Sequence, residues 1–134
     1  MSPVFLTDEA VLLIHEEQLT RFGGAQGVRD PGLLASAIAQ PQATFGGEYL
    51  HPDLYVMAAA YMFHIVRNHA FVDGNKRTGL IAALTFLELN GIASGQEHQD
   101  LYDLTMAVAE GKLDKAEIAR RLRRLFPPPE AAGG

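Results

Sequence analysis

The residues best suited to chemistry in this chain of 134 residues lie in one short polar stretch, from His69 to Gly79. It holds a histidine, a carboxylate, a turn glycine, an amide and two cations: His69, Asp73, Gly74, Asn75, Lys76 and Arg77. The segments on either side, 54–66 and 80–89, are strongly apolar. A polar loop between two buried helices is typical of a phosphate or metal site, because a rigid scaffold must hold the groups that contact the ligand.

The residue types and their order indicate phosphoryl or nucleotidyl transfer. Where Asp73, Gly74 and Asn75 lead into a helix, the first backbone N–H groups of that helix are unpaired and available to an anion. A glycine lets the backbone approach a ligand oxygen, and the asparagine can cap the helix or hold the loop. Lys76 and Arg77 add positive charge for phosphate oxygens.

Two further groups in the stretch complete this chemistry. Asp73 offers the hard oxygen ligand that Mg²⁺ takes alongside nucleotide phosphates. Imidazole exchanges protons near neutral pH, so His69 is the candidate to take a proton from an attacking hydroxyl. Alone, His69 would be read as a helix-end histidine bonded to backbone, and Asp73 as a helix cap. For His15, which lacks a second histidine four residues on, we predict a structural hydrogen bond to the core.

The elements that must position this stretch are predicted to be helices. Caps, breakers and helical spacing place them from the Thr7 cap to Gly23, from Pro31 to about Gln40, from Pro52 to near Asn68, from Leu80 to Leu89, from about Gln99 to Glu110, and from the Asp114 capping box to Pro127. The pattern predicts an all-α fold, a compact bundle of about six helices with at most one small β-hairpin. One domain spans residues 1–126, and residues 127–134 form a flexible C-terminal tail.

The segment 42–50 is the candidate hairpin, because Gly46 and Gly47 lie between Phe45 and Tyr49. An ordinary connecting loop is an equal interpretation of these residues. By themselves, Phe45 and Tyr49 are more often packing residues than recognition residues.

The bulk composition excludes several classes. A net charge of -5 argues against direct nucleic-acid binding, which needs a basic surface. With no cysteine, disulfides and thiolate chemistry are excluded, and a cytoplasmic location is favoured. Each apolar run is broken before the roughly 20 residues that span a bilayer, so no membrane partner is expected.

The stretch from His69 to Thr78 resembles the signature of the Fic/Doc superfamily, His-x-Phe-x-(Asp/Glu)-Gly-Asn-(Gly/Lys)-Arg. The resemblance is closest to the death-on-curing (Doc) branch, toxins of toxin–antitoxin modules. It extends over most of the chain, to about Leu125, through Ile14-His15-Glu16, Gly23-Gly24, Arg29 to Leu34, Gln40-Pro41 and Phe86 to Gly91.

This resemblance implies a role for each residue of the signature. It makes His69 the general base, Phe71 a buried anchor for the loop and Asp73 the Mg²⁺ ligand. It also implies an ATP phosphate site formed by Gly74, Asn75, Lys76 and Arg77. The segment with Phe45, Gly46, Gly47 and Tyr49 is similar in position to a flap that aligns a target protein's main chain beside the site.

Two differences from the adenylylating branch are shared with Doc toxins: Lys76 replaces a glycine, and Leu80 replaces a second arginine. The Doc branch is understood to transfer the γ-phosphate of ATP, so the resemblance implies phosphorylation of a Ser or Thr hydroxyl on a protein. Elongation factor Tu is the leading target, and its modification would inhibit translation. Gly74, where a Doc toxin has alanine, favours AMP transfer instead.

The resemblance also implies a cognate antitoxin that acts in trans. No inhibitory helix with a Ser/Thr-x-x-x-Glu-Gly-Asn pattern is visible in the sequence. A catalytically silent binding or regulatory module on the same fold is the remaining alternative.

Overall fold

A computed structural model describes residues 2–95 and 99–129 of the chain. Within these residues there are six α-helices and one antiparallel pair of short strands. The helices are α1 (Asp8–Phe22), α2 (Pro31–Ala39), α3 (Leu54–Asn68), α4 (Asn75–Leu89), α5 (Gln99–Ala109) and α6 (Lys115–Leu125), and the strands are β1 (Thr44–Phe45) and β2 (Glu48–Tyr49). The predicted all-α bundle with one small hairpin is confirmed.

The core is built around α3. Residues 57–62 are all buried, and Tyr61 is among the largest of the fully buried side chains. Burial raises the pKa of Tyr61 to about 12, while its hydroxyl accepts a hydrogen bond from the Leu6 N–H at 2.9 Å. A helix buried on nearly all sides is rigid, and its C-terminal end is where the polar stretch begins.

The α3–α4 contact depends on Gly79. A Cβ atom added there would lie 2.6 Å from Cγ2 of Val66 and 3.2 Å from the Met62 carbonyl oxygen. Only a residue without a side chain allows the two helices to approach so closely at this level. The start of α4 is therefore packed directly against the end of α3.

The beginning of α4 corrects a predicted boundary. The helix starts at Asn75 rather than Leu80, so the polar residues 75–79 form its first turns instead of a loop. The Thr78 N–H donates to the Gly74 carbonyl at 3.0 Å, and Thr78 and Gly79 are buried. The apolar pattern begins later because the first turn faces the cleft described below. For α3, the start is at Leu54 behind an Asp53 cap rather than at Pro52.

The buried face of α1 also differs from the prediction. The sequence placed Leu12, His15, Leu19 and Phe22 on one face, but Leu12 is 41% and Phe22 53% exposed. The buried residues are Val11, His15 and Gln18. Val11 packs in the apolar core, while His15 bonds to the Asp73 backbone carbonyl, so this face contacts both the core and the polar stretch.

The C-terminal part follows the prediction closely. Helix α5 buries Leu101, Leu104 and Val108, and α6 opens with the predicted capping box between Asp114 and Glu117. Residues 127–129 have no regular secondary structure, and residues 130–134 of the predicted tail lie outside the described residues. Within the ranges 2–95 and 99–129, no helix has both the length and the hydrophobicity needed to cross a bilayer.

Candidate active site

A cleft of about 630 Å³ opens between the end of α1 and the start of α4. Six residues predicted from the sequence line it: His69, Asp73, Gly74, Asn75, Lys76 and Arg77. The opposite wall includes Gln18, Leu19, Phe22, Gly23 and Gly24. This volume lies within the range of roughly 300–1,000 Å³ typical of small-molecule sites. The structure thus brings the polar side chains of the stretch together around one ligand-sized space.

His69 follows the last residue of α3 in a left-handed conformation, with φ 51° and ψ 44°. It is the one non-glycine residue with positive φ in the described part of the chain. Such a conformation costs on the order of 1–3 kcal/mol and is often found at functional sites. Arg29 stabilises it, since its Nε donates to the His69 carbonyl at 2.8 Å.

The side chain of His69 is exposed and makes no hydrogen bond to any residue that the structure describes. Both ring nitrogens are therefore available to a ligand. The backbone of this residue is held while its imidazole is left open, which is the arrangement that a general base requires.

Phe71 lies beneath the loop and is 1% exposed. Its backbone is held by the Asn75 side chain, whose Oδ1 accepts from the Phe71 N–H and whose Nδ2 donates to the Phe71 carbonyl, both at 3.0 Å. Its ring stacks on that of His15, with centroids 3.7 Å apart and an interplanar angle of 7°. These contacts fix the loop against α1 and α4.

His15 makes the structural hydrogen bond that the sequence predicted, but with a different partner. Its Nε2–H donates to the Asp73 carbonyl at 2.8 Å, so the acceptor belongs to the loop rather than to the core. The ring therefore holds the loop twice, through stacking and through this bond.

Two backbone N–H groups orient the Asp73 carboxylate. Oδ1 accepts from Gly74 at 2.9 Å, and Oδ2 accepts from Ala25 at 3.2 Å. The second bond needs Gly24, because a Cβ atom there would lie 3.0 Å from Oδ2. Each oxygen keeps a lone pair for a further ligand.

The N-terminus of α4 forms the floor of the cleft. Gly74 occupies the cap position with φ 80° and offers no side-chain cap, so the amides of Asn75, Lys76 and Arg77 have no intrahelical partner. The Lys76 side chain is exposed. The Arg77 guanidinium lies over the Phe22 ring, 3.7 Å from its centroid. Free amides, a helix dipole and two cations favour a multiply charged anion.

The predicted flap is a hairpin, with Thr44 paired to Tyr49 and Phe45 to Glu48 around the turn glycines Gly46 and Gly47. The structure does not bring these residues to the cleft wall. Phe45 is 80% exposed, so the packing interpretation of this residue is wrong. Tyr49 does pack, with its ring centroid 5.7 Å from that of Phe5. Target docking by this hairpin stays a prediction.

Sequence reasoning missed several residues that shape the site. Arg29, Phe22, Gly24 and Gly79 were assigned no role there, yet each contacts or makes room for a residue of the polar stretch. No local signal identifies the first three. Gly79 did carry one, because a glycine at the head of an apolar helix indicates close helix packing.

The fold and the cleft define a class of small helical proteins in which a histidine, a carboxylate and two cations surround the open N-terminus of a helix. The sequence matches the model of the Fic/DOC family over residues 5–87. This chain belongs to the Fic/DOC family, as the resemblance of the polar stretch predicted.

Two characterised relatives extend the match along the chain. One is "Protein kinase doc" of Escherichia phage P1, 36% identical over 121 residues that cover 90% of this chain and 94% of that protein. The other is "Toxin Doc" of Mycolicibacterium smegmatis, 47% identical over 103 residues that cover 75% of this chain and 79% of that protein. The similarity to both therefore reaches beyond the site.

Proposed function

We propose that this protein is a Doc-type toxin that transfers the γ-phosphate of Mg-ATP to a Ser or Thr hydroxyl of a protein. The observation that carries the proposal is the convergence of the free His69 imidazole and the oriented Asp73 carboxylate on a cleft whose floor is the open N-terminus of α4. The likeness to a relative named as a protein kinase supports the choice of reaction.

In the proposed reaction, the target hydroxyl attacks the γ-phosphorus. His69 accepts the hydroxyl proton, an O–P bond forms to the target, and the bond from phosphorus to the bridging oxygen breaks, with ADP as the leaving group. The amides of α4 and Lys76 stabilise the phosphate charge, and Arg77 binds a further phosphate oxygen. Positioning and charge neutralisation are the main contributions in such transfers.

Asp73 is the residue that would hold Mg²⁺. Its two oxygens are oriented by backbone N–H groups and keep free lone pairs, which fits a hard cation that takes its other ligands from phosphate oxygens and water. In residues 2–95 and 99–129, no cluster of three or more His, Cys, Asp or Glu side chains accompanies it. When bound, the metal would neutralise charge on the phosphates.

A second candidate reaction is AMP transfer. Lys76 and Leu80 support phosphoryl transfer, whereas Gly74 leaves the backbone at the cleft floor as open as in adenylylating relatives. ATP labelled at the α or at the γ phosphate separates the two reactions, because only the transferred phosphorus labels the target. We expect label from the γ position only. Label from the α position would contradict γ-phosphate transfer and support AMP transfer.

We further propose elongation factor Tu as the target, the cytoplasm as the site of action and an antitoxin in trans as the inhibitor. The relative named as a toxin supports an antitoxin partner. The hairpin with Phe45 and Tyr49 is proposed to align the target's main chain. The test is incubation of purified elongation factor Tu with γ-labelled ATP and this protein, followed by mass-spectrometric mapping of the modified residue. The same incubation is repeated with a cell lysate. If elongation factor Tu stays unlabelled while another protein of the lysate is labelled, that other protein is the target.

If no protein is labelled from either position while ATP still binds, the alternative of a silent binding module is favoured. Growth arrest of cells that express the wild type or a His69 variant then gives an independent comparison. A His69→Asn variant that arrests growth as the wild type does would support the silent module.

A further inference from the structure

A second cluster of nitrogen-bearing side chains joins α3, α6 and the segment that precedes α3. The Lys115 Nζ lies 3.2 Å from Nε2 of His51 and 3.0 Å from Nε2 of His64. None of the three residues lines the active-site cleft. The cluster is therefore separate from the proposed phosphoryl-transfer chemistry.

These contacts favour the neutral form of both imidazoles. The lysine nitrogen, charged or neutral, can donate one N–H to each ring, and each Nε2 is then the acceptor. Burial, with smaller contributions from Lys115 and His51, lowers the pKa of His64 to about 4. Burial and Lys115 also lower the pKa of His51, while the Gln40 backbone acts in the opposite direction. At neutral pH, the lysine thus faces two proton acceptors.

No carboxylate forms an ion pair with Lys115 in the part of the chain that the structure describes. The ion pairs found in the described residues are Arg21–Glu17, Lys112–Glu110 and Arg123–Asp53. Lys115 is the first residue of α6, where the positive end of the helix dipole disfavours a cation. Its neighbour Asp114 favours one, but that carboxylate accepts the Glu117 N–H of the capping box at 2.8 Å. The Phe63 ring is 5.7 Å away, and burial lowers the pKa of Lys115.

We infer that Lys115 is a nucleophilic amine and a site of acylation by small activated acyl donors, namely acyl phosphates or acyl thioesters. The neutral Nζ attacks the acyl carbon, an N–C bond forms, and the C–O or C–S bond breaks. Phosphate or thiolate leaves with the electron pair, and the proton released from nitrogen passes to Nε2 of His64 and then to water. The amide product keeps one N–H, so only one of the two imidazoles retains its hydrogen bond.

The chain offers a built-in control, because its three lysines are Lys76, Lys112 and Lys115. Lys112 is exposed, paired to Glu110 at 2.7 Å, and close to Lys115 in the sequence. A lowered pKa raises the neutral, nucleophilic fraction of Lys115 near neutral pH. At pH 7.5, we expect Lys115 to be acetylated several-fold faster than Lys112.

The test treats the folded wild-type protein with limiting acetyl phosphate or, separately, acetyl-CoA, and measures each lysine by quantitative peptide mass spectrometry. Selectivity with either donor supports the inference and identifies the donor class. The preference should weaken as the pH is raised, because the protonation of the amines then limits the reaction less. It should also weaken in His64→Asn, which removes the nearer acceptor. Equal labelling of Lys115 and Lys112 at pH 7.5, or a preference unchanged in a His51→Asn/His64→Asn variant, would overturn the inference.

Discussion

Two histidines near the end of α3 show how one helix serves two kinds of site. His69, at the start of the polar stretch, has an exposed imidazole without a hydrogen bond to the described residues, while Arg29 holds its backbone in a left-handed conformation. His64 has ordinary helical backbone, but its imidazole is partly buried and bonded to Lys115 at 3.0 Å. Hydrogen bonds are made by the backbone in the first case and by the side chain in the second.

The loop at His69 and the cluster at His64 are therefore suited to different roles. In the loop, Arg29, Asn75 and His15 satisfy the backbone, so the exposed side chains of His69 and Lys76 remain free for a charged ligand. In the cluster, Lys115 contacts both imidazoles and the side chains lose water, which together with the nearby charge lowers the pKa of His64 to about 4. The geometry of the loop suits the proposed binding and transfer, and that of the cluster suits an altered protonation state.

The largest expected effect is on transfer when the free imidazole is removed. Asparagine tolerates a left-handed backbone, so His69→Asn should fold normally while losing the general base. We expect label transfer to fall by about 10²–10⁴-fold, with ATP affinity changed only a few-fold. The matched control is His64→Asn, which should transfer at nearly the wild-type rate. Wild-type transfer by His69→Asn would contradict the role of this residue.

Among the effects on stability, we expect the largest when the hydrogen bonds that hold the loop's backbone are removed. Asn75→Ala removes both hydrogen bonds to the buried Phe71 backbone and should lower the free energy of unfolding by about 2–3 kcal/mol. Asn68→Ala, which removes a single bond of 3.3 Å to the Leu33 carbonyl, is the control and should cost about 1 kcal/mol or less. Urea denaturation measures both. Equal losses would mean that the Asn75 bonds do not hold the loop.

The cluster predicts a pH dependence of stability. Because the pKa of His64 is lowered to about 4 in the folded state, the unfolded chain binds its proton first as the pH falls. The stabilising contribution is present above the ordinary value of 6.5 and is lost between 6.5 and about 4. We expect a loss of about 1 kcal/mol after allowance for solvent screening. In His64→Asn, the urea midpoint should change less with pH over that window than in the wild type. An equally steep fall of the midpoint would assign the effect to other groups.

The smallest effect concerns the aromatic ring beneath Arg77. Phe22→Leu removes a cation–π contact at an exposed ring, worth about 0.5–1 kcal/mol, and frees the guanidinium. The KM for ATP should change by about threefold or less, with kcat unaffected. Phe45→Leu, at a ring that is 80% exposed, should leave both parameters unchanged. A large fall in kcat for Phe22→Leu would show that the ring itself positions the reacting groups.

Local sequence determined much of the fold. The Asp114 capping box and the Pro31 start of α2 each act within a few residues, so their structures could be predicted from neighbours alone. The paired glycines 46 and 47 left a hairpin and an ordinary loop open, and the structure shows the hairpin. The polar stretch was equally visible, because its residue types are concentrated over one short segment. The signature residues from His69 to Arg77 do line one cleft, apart from those, such as Phe71, that lie beneath it.

Only the tertiary structure decided how those residues are held and which others join them. Arg29 reaches His69 across 40 positions of sequence, His15 reaches Asp73 across 58, and Lys115 reaches His64 across 51. The close approach of α4 to α3 at Gly79 likewise depends on residues distant in sequence, Met62 and Val66. Hydrogen bonds and burial between distant residues follow from the packing of whole helices, and local patterns carry no information about which distant group will meet them.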